Sequence, residues 1–271
     1  MGSDLPVALT IAGSDSGGGA GIEMDLKVFA ALGVFGTCAI SALTAQNTVG
    51  VSGAWEAPPE FLVAQIEAVL DDLPVSAAKT GMLSSESVVR ALVELTERRS
   101  FPPLVVDPVV VAKDGTHLLS EAGIGVVRDR LLPLATIATP NVPEAEALSG
   151  LTVESEGDMR RAAEKLRALG CRWVLVKGGH LQGREVTDLL LGPDHEQALS
   201  SPRLPGGPFH GTGCALSAAI AAYLAHGRAV PEAVSEAGQY LQHLLTHARA
   251  LGKGARVLHP QPHRPGKGSQ P

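Results

Sequence analysis

The stretch FHGTGCALSAAI, residues 209–220, sets a thiol, Cys214, on the first turn of an alanine-rich apolar run, behind two glycines, Gly211 and Gly213. A helix N-terminus gathers anions through its free N–H groups and the macrodipole. Cys214 is therefore either a small filler or a thiol tuned to react. Gly211 and Gly213 let backbone N–H groups approach an anion closely, the plainer alternative being an ordinary helix start. GSDSGGGAG (13–21) is glycine-rich too, but it lacks the G-K-[ST] of a Walker A loop and the spacing of a dinucleotide fingerprint. By itself it reads as a tight turn. Further polar groups close apolar runs: Gln46 and Asn47, Lys79-Thr-Gly-Met82, Asp107-Pro108, Asn141-Val-Pro-Glu144 and Lys177-Gly-Gly-His180.

The elements that must position these groups alternate. VALTIAG (7–13) reads as a buried strand, and GIEMDLKVFAALG (21–33) as a helix with Ile22, Leu26 and Phe29 on one face and Gly33 as its stop. TCAISAL as one strand, helices over 59–70 and 85–97, VSAAKTG and LVVDP continue the series. EAGIGVVRDRLL as a helix, TIATPN, a helix over 158–169 and WVLVKGG follow. Continuous apolar strands with intervening helices predict an α/β fold, a mostly parallel sheet covered on both faces. EVTDLLL and the stretch near 199–204 read as antiparallel additions at one edge, and helices from about Thr212 and from Pro231 close the fold. Residues 1–259 are expected to form one domain and 260–271 a disordered tail. Ligands of such sheets bind at the carboxyl ends of the strands, where the polar groups cluster.

Composition narrows the chemistry. The 271 residues are 45% apolar and 18% charged, enough for a sizeable core. Net charge is −6 with no long Lys/Arg run, which argues against nucleic acid or a membrane surface as partner. Cys38, Cys171 and Cys214 have no CxxC spacing, a reducing-compartment pattern and neither a disulfide framework nor a zinc site. The start has no basic region ahead of its short apolar run, so a soluble, cytoplasmic chain is expected.

Taken together, ALTIAGSDSGGGAGIEMDLKVFAALG, ALTAQNTVGV, KTGML, VVDPVVVAKDG, TPNVPEAEAL, VLVKGGHL and HGTGCALSAAIAA resemble the hydroxymethylpyrimidine/phosphomethylpyrimidine kinases of thiamine biosynthesis. These are members of the ribokinase-like superfamily, and the resemblance runs from about Val7 to Leu251. It implies a kinase using ATP and Mg²⁺ that phosphorylates 4-amino-5-hydroxymethyl-2-methylpyrimidine and then the resulting monophosphate. It assigns the pyrimidine to Gln46, with Gly13, Ala20, Thr44, Met82 and Val109 lining the pocket. A primary amide offers donor and acceptor in one plane, which suits an aminopyrimidine. The plainer readings are a surface amide for Gln46 and core packing for Met82.

The resemblance also implies that Asp107 and Glu144 hold magnesium, which takes few carboxylates beside water and substrate phosphates. Asp107-Pro108 could equally be a turn, and Asn141 with Glu144 has the spacing of a capping box. Lys177, Asn141, Gly211, Thr212 and Gly213 are implied at the nucleotide; the alternative for Lys177 is a snorkelling edge lysine. Lys79 receives no role. Cys214 stands where related sugar kinases carry an aspartate base, and a helix N-terminus could lower its pKa from about 8.5 towards neutrality. Ahead of HGTGC, where the family carries a polar stretch, this chain has RLPGGPF, so the choice of phosphate donor is not read from the motif. A homodimer is the family expectation. The rival readings are a pyridoxal kinase of the same superfamily and a catalytically inactive pyrimidine-binding regulator.

Overall fold

The computed structural model describes residues 5–110 and 119–262. β1 (Val7–Ala12) leads into α1 (Gly21–Ala31), β2 (Phe35–Ile40), β3 (Ala42–Gln46) and β4 (Val51–Glu56). α2 (Pro59–Asp72), β5 (Val75–Thr80), α3 (Glu86–Arg98) and β6 (Leu104–Val106) continue the alternation. After α4 (Glu121–Val126) come β7 (Ile137–Ala138), α5 (Val142–Ser149), α6 (Glu156–Ala168) and β8 (Trp173–Val176). β9 (Glu185–Gly192) and β10 (His195–Pro202) precede β11 (Phe209–His210), α7 (Thr212–Ala225), α8 (Val230–Thr246) and β12 (Arg256–Val257).

The main sheet has eight strands in the order β10-β9-β8-β7-β6-β5-β1-β2. From β2 to β8 every pairing is parallel; β9 and β10 pair antiparallel at one edge, as their sequences suggest. Each strand side chain goes to the opposite face from its neighbour, and the core divides accordingly. Leu9, Ile11, Val106, Val174 and Val176 pack with Leu62, Ile66 and Leu92. Ala8, Val105 and Leu175 pack with Met24, Phe29 and the alanines of α7. Both faces are dry, which is why the strands read as unbroken apolar runs. In α7, Ala215 to Ala222 are buried all round, and their small side chains let the helix pass close under the strands.

β4, β11 and β12 have no counterpart in the sequence reading, and two runs that do have one differ in the structure. TCAISAL is two strands, because Ser41 breaks the run: its N–H donates to Ala12 O (3.0 Å) and its hydroxyl to Met82 O (2.7 Å). Its carbonyl accepts from Ala57 N–H (2.9 Å), and β3 leaves the main sheet to pair antiparallel with β4. EAGIGVVRDRLL is α-helical only to Val126; Val127–Leu131 is a π turn and Leu132–Leu134 a 3₁₀ turn. Pro133 lacks the N–H that would continue the helix. The expected disordered tail lies, from residue 263 onward, outside the described residues.

Candidate active site

The carboxyl ends of β6, β7 and β8 bring one charged group together. Asp107, just past β6, is buried, and its Oδ1 accepts from Lys177 Nζ (2.8 Å) and from the Thr139 hydroxyl (3.1 Å). Its Oδ2 accepts from Ser217 Oγ on α7 (3.2 Å). Burial works to raise the Asp107 carboxyl, but Lys177 and Lys79 hold it below the usual range. Lys177 Nζ also lies 3.9 Å from Glu144 Oε2. Glu144 forms the capping box that its spacing predicts: Glu144 N–H donates to Asn141 Oδ1 (2.9 Å), and Asn141 N–H to Glu144 Oε2 (2.7 Å). Burial, with repulsion from Asp107 adding to it, pushes the Glu144 carboxyl up to about 7 against the pull of Lys177. A Cβ on Gly213 would stand 3.4 Å from Lys177 Nζ and 3.7 Å from Asp107 Oδ2, so HGTGC lies against this group with its backbone uncovered. Val109 adjoins it, its N–H donating to Asp107 O (2.9 Å).

The donor set fits a magnesium ion. Two buried carboxylates face one region, and burial together with the neighbouring Asp107 charge drives Glu144 towards its neutral form against the pull of Lys177. Among the described residues no group of three or more His, Cys, Asp or Glu side chains converges. A metal here would rest on two carboxylates plus water and substrate oxygens, the manner in which Mg²⁺ is held.

Beneath α7 lies a pair that sequence reasoning leaves without a role. Lys79, at the end of β5, is fully buried, and its Nζ donates to Asp25 Oδ2 of α1 (2.8 Å), which also accepts from Thr10 Oγ1 (2.6 Å). Burial disfavours the ammonium, yet the Asp25 carboxylate more than restores it and the Lys79 pKa stands above its ordinary value. The signal for Asp25 was available: it lies three residues after Ile22 and four before Phe29, on the apolar face of α1. Cys214 is partly buried over this pair, and its sulfur accepts from Gly21 N–H. Its thiol departs from the helix-terminus expectation. Burial, aided by Asp25 and Asp107, pushes it up to about 11, although Lys79 and the Gly21 N–H pull the other way. Desolvation of the thiolate outweighs the helix end.

GSDSGGGAG wraps its own anion. The Asp15 carboxylate accepts from the N–H groups of Gly17 (2.8 Å), Gly19 (3.0 Å) and Ala20 (2.9 Å), so the loop is the tight turn its sequence suggests. His210 Nε2 stands 2.9 Å from Asp15 Oδ2, tying this loop to HGTGC. Gly211, at φ +78°, has no room for a side chain, because a Cβ would overlap Gly19 O. Its glycine is used to dock the two loops, and Thr212 opens α7 directly behind it. Gln46, at the end of β3, lies beside His210 (3.2 Å) and Thr44 (3.3 Å). Thr44 binds Ser14 through its N–H and its hydroxyl, Gly13 N–H donates to Met82 O (3.1 Å), and Met82 Cε fills the space beside Gly13.

Thus Gly13, Ala20, Thr44, Gln46 and Met82 form one cluster, and Asp107, Val109, Asn141, Glu144, Lys177 and Gly213 the other, with Cys214 between them. Asp15, Asp25, Thr139, His210 and Ser217 join these clusters without having been singled out, and Lys79, which the sequence reading gives no role, joins them too.

A family model for phosphomethylpyrimidine kinase matches residues 15–259. A hydroxymethylpyrimidine/phosphomethylpyrimidine kinase of Streptomyces coelicolor is 50% identical over 249 residues, 92% of either chain. The crystal structure of a phosphomethylpyrimidine kinase from Clostridium difficile superposes with TM-score 0.80 at 41% identity, over 89% of this chain and 99% of that one. An ADP complex of Bacillus subtilis pyridoxal kinase superposes with TM-score 0.88 at 33% identity, over 94% and 98%. The mostly parallel sheet, the strand-end acids and lysine, and the near full-length match give one conclusion: the chain belongs to the phosphomethylpyrimidine kinase family, a branch of the ribokinase-like phosphotransferases.

Proposed function

We propose that residues 1–259 act as one kinase domain that transfers phosphoryl from ATP to the hydroxymethyl oxygen of 4-amino-5-hydroxymethyl-2-methylpyrimidine, and then to the monophosphate so formed, in thiamine biosynthesis. The observation that carries this reading is the approach of Gly213 to Lys177 and Asp107, with Cys214 one residue further on. It sets an uncovered helix N-terminus, a half-buried cation and a buried acid at one point, with the Cys214 thiol beside them. Gln46 reads the ring, in a pocket lined by Gly13, Ala20, Thr44 and Met82, with Val109 contributed by the Asp107 group. Lys177 and the Gly211-Thr212-Gly213 amides neutralise the transferring phosphoryl group, with Asn141 at the nucleotide; such stabilisation is the larger part of catalysis in phosphoryl transfer. Asp107 and Glu144 would hold Mg²⁺, which when bound neutralises phosphate charge and sets its alignment. Cys214 takes the hydroxyl proton in the first step; the second acceptor, a phosphate monoester, arrives mostly ionised near neutrality.

The protein is further inferred to work as a homodimer in the cytoplasm. Support for the dimer is the β3–β4 hairpin, which leaves Leu43, Val51 and Trp55 exposed; Phe35 of β2 and Phe61 of α2 are exposed as well. Among the described residues no helix is long and apolar enough to cross a membrane. The deciding assay gives the purified protein ATP and Mg²⁺ with either the hydroxymethylpyrimidine or pyridoxal. The pyrimidine is expected to yield monophosphate and then diphosphate. Turnover of pyridoxal alone would make the chain a pyridoxal kinase, and pyrimidine binding without turnover would make it a regulator.

A further inference from the structure

His210 is the one residue of HGTGC that the reaction above leaves unused, yet the fold is shaped to seat it. A Cβ on Gly19 would stand 2.5 Å from His210 Cδ2. His210 Nε2 lies between two polar groups, 2.9 Å from Asp15 Oδ2 and 3.2 Å from the Gln46 amide. Asp15 is buried, which works to raise its carboxyl, but the bonds from His210 and from the Gly17 and Gly19 N–H groups hold it below its ordinary value. It is an ionised carboxylate and can only accept. Nε2 therefore carries a proton and gives it to Asp15.

That proton decides the orientation of Gln46. A protonated Nε2 has no lone pair to accept from an amide NH₂, so the end of Gln46 nearest His210 is its oxygen, which shares the proton with Asp15. The other end lies 3.3 Å from Thr44 Oγ1. Thr44 has one hydroxyl proton and places it on Ser14 O at 2.8 Å. Towards Gln46 it only accepts, so the group facing it is NH₂. The structure sets the Gln46 nitrogen 3.2 Å from His210 Nε2 and its oxygen 3.3 Å from Thr44 Oγ1. Amide ends are assigned by hydrogen-bond networks, and both neighbours require the opposite orientation. One oxygen lone pair and one N–H of Gln46 then remain, side by side along the free edge of the amide. A 4-aminopyrimidine offers an N–H beside a ring-nitrogen acceptor, which pairs with that edge in one sense only. A 4-oxopyrimidine offers the reverse, an acceptor beside a ring N–H.

We propose that His210, held by Asp15, is a positioning residue that fixes which way round the Gln46 amide faces, and so selects the 4-amino ring edge over the 4-oxo edge. The inference rests on the reading of Gln46 as the partner of the ring. An amide released from His210 can turn and accept the reversed edge. Specificity of this kind comes from the unpaired donors and acceptors left with the wrong ring.

The test measures, by calorimetry, the affinities of 4-amino-5-hydroxymethyl-2-methylpyrimidine and its 4-oxo counterpart for the unmutated protein, His210→Leu, His210→Gln and Gln46→Leu. The KM for ATP serves as the control. His210→Leu should reduce the preference for the amino ring about tenfold, the worth of one oriented hydrogen bond, with the KM for ATP unchanged. His210→Gln, which keeps an N–H donor, should recover most of it. If Gln46→Leu abolishes the preference and His210→Leu leaves it intact, the inference about His210 fails while Gln46 stands as the reader. If Gln46→Leu itself leaves the preference intact, the reading of Gln46 fails. Should His210→Leu not fold, long-range ¹H–¹⁵N correlations of the unmutated protein decide: a proton on Nε2 is expected, and a neutral ring protonated only on Nδ1 overturns the proposal.

Discussion

The pH dependence of Cys214→Ala separates the two phosphorylations. The thiol is pushed up to about 11 by burial. Each unit of pH below the pKa leaves a tenfold smaller thiolate fraction, roughly 10⁻² at pH 9 and 10⁻⁴ at pH 7. General-base assistance is worth typically ~10²–10⁴-fold. At pH 7 the small thiolate fraction cancels even the top of that range, so removing the thiol should change the first phosphorylation by no more than a few-fold. By pH 9 the defect should reach up to about 10²-fold, growing with pH as thiolate accumulates. The second phosphorylation, whose acceptor is already ionised, should show no such growth. Single-turnover measurement of each step from pH 6.5 to 9.5, for both proteins, supplies the data. Alkylation of Cys214 by iodoacetamide, followed by peptide mass mapping, supplies an independent titration that should still be rising at pH 9.5. A defect of 10² or more already present at pH 7 and flat to pH 9 would refute the reasoning, because the thiolate would then exist at neutrality. Equal slowing of both steps would assign Cys214 to shaping the phosphoryl site.

Three further outcomes are expected. Lys79→Met leaves Asp25 buried without its counter-charge and should cost about 3–5 kcal/mol in urea unfolding; Asp25→Leu added to it should recover a large part, and a single-variant loss below about 1 kcal/mol would show that the pair is not ionised. Gly211→Ala places a Cβ against Gly19 O at φ +78°, and should cost at least about 1–3 kcal/mol, with the midpoint of thermal unfolding as the check; an unchanged midpoint would mean that the two loops do not dock. Gln46→Leu should raise the KM for the hydroxymethylpyrimidine about tenfold or more with little change for ATP, whereas an equal loss of both would give Gln46 a role in the fold.

Much of the site was legible because it depends on local order. Strands buried on both faces must be apolar throughout, so their ends stand out wherever Asp107, Lys177 or Lys79 interrupts the run. The capping box of Asn141 and Glu144 is a three-residue relation and forms as spaced. The outermost strand β10 alternates as an edge strand with one face in water does. The break at Ser41 was not legible, since its hydrogen-bond partners Ala12, Met82, Ser84 and Ala57 come from β1, from the loop after β5 and from the segment between β4 and α2.

By itself, then, the sequence determined the layered α/β architecture, the crevice at the strand ends and most of the residues that line it. It did so because apolar periodicity and strand-end chemistry are written in near neighbours. Tertiary structure decided how those residues behave. Asp15 could be recognised as the anion that fills its own glycine loop only once 195 residues of chain had returned to set His210 against it. Asp25 and Lys79 became a pair only through the packing of α1 beside β5. The Cys214 thiol rose where its helix position alone argued for a fall, because desolvation depends on everything that covers a group, and the chain's order does not record what covers it.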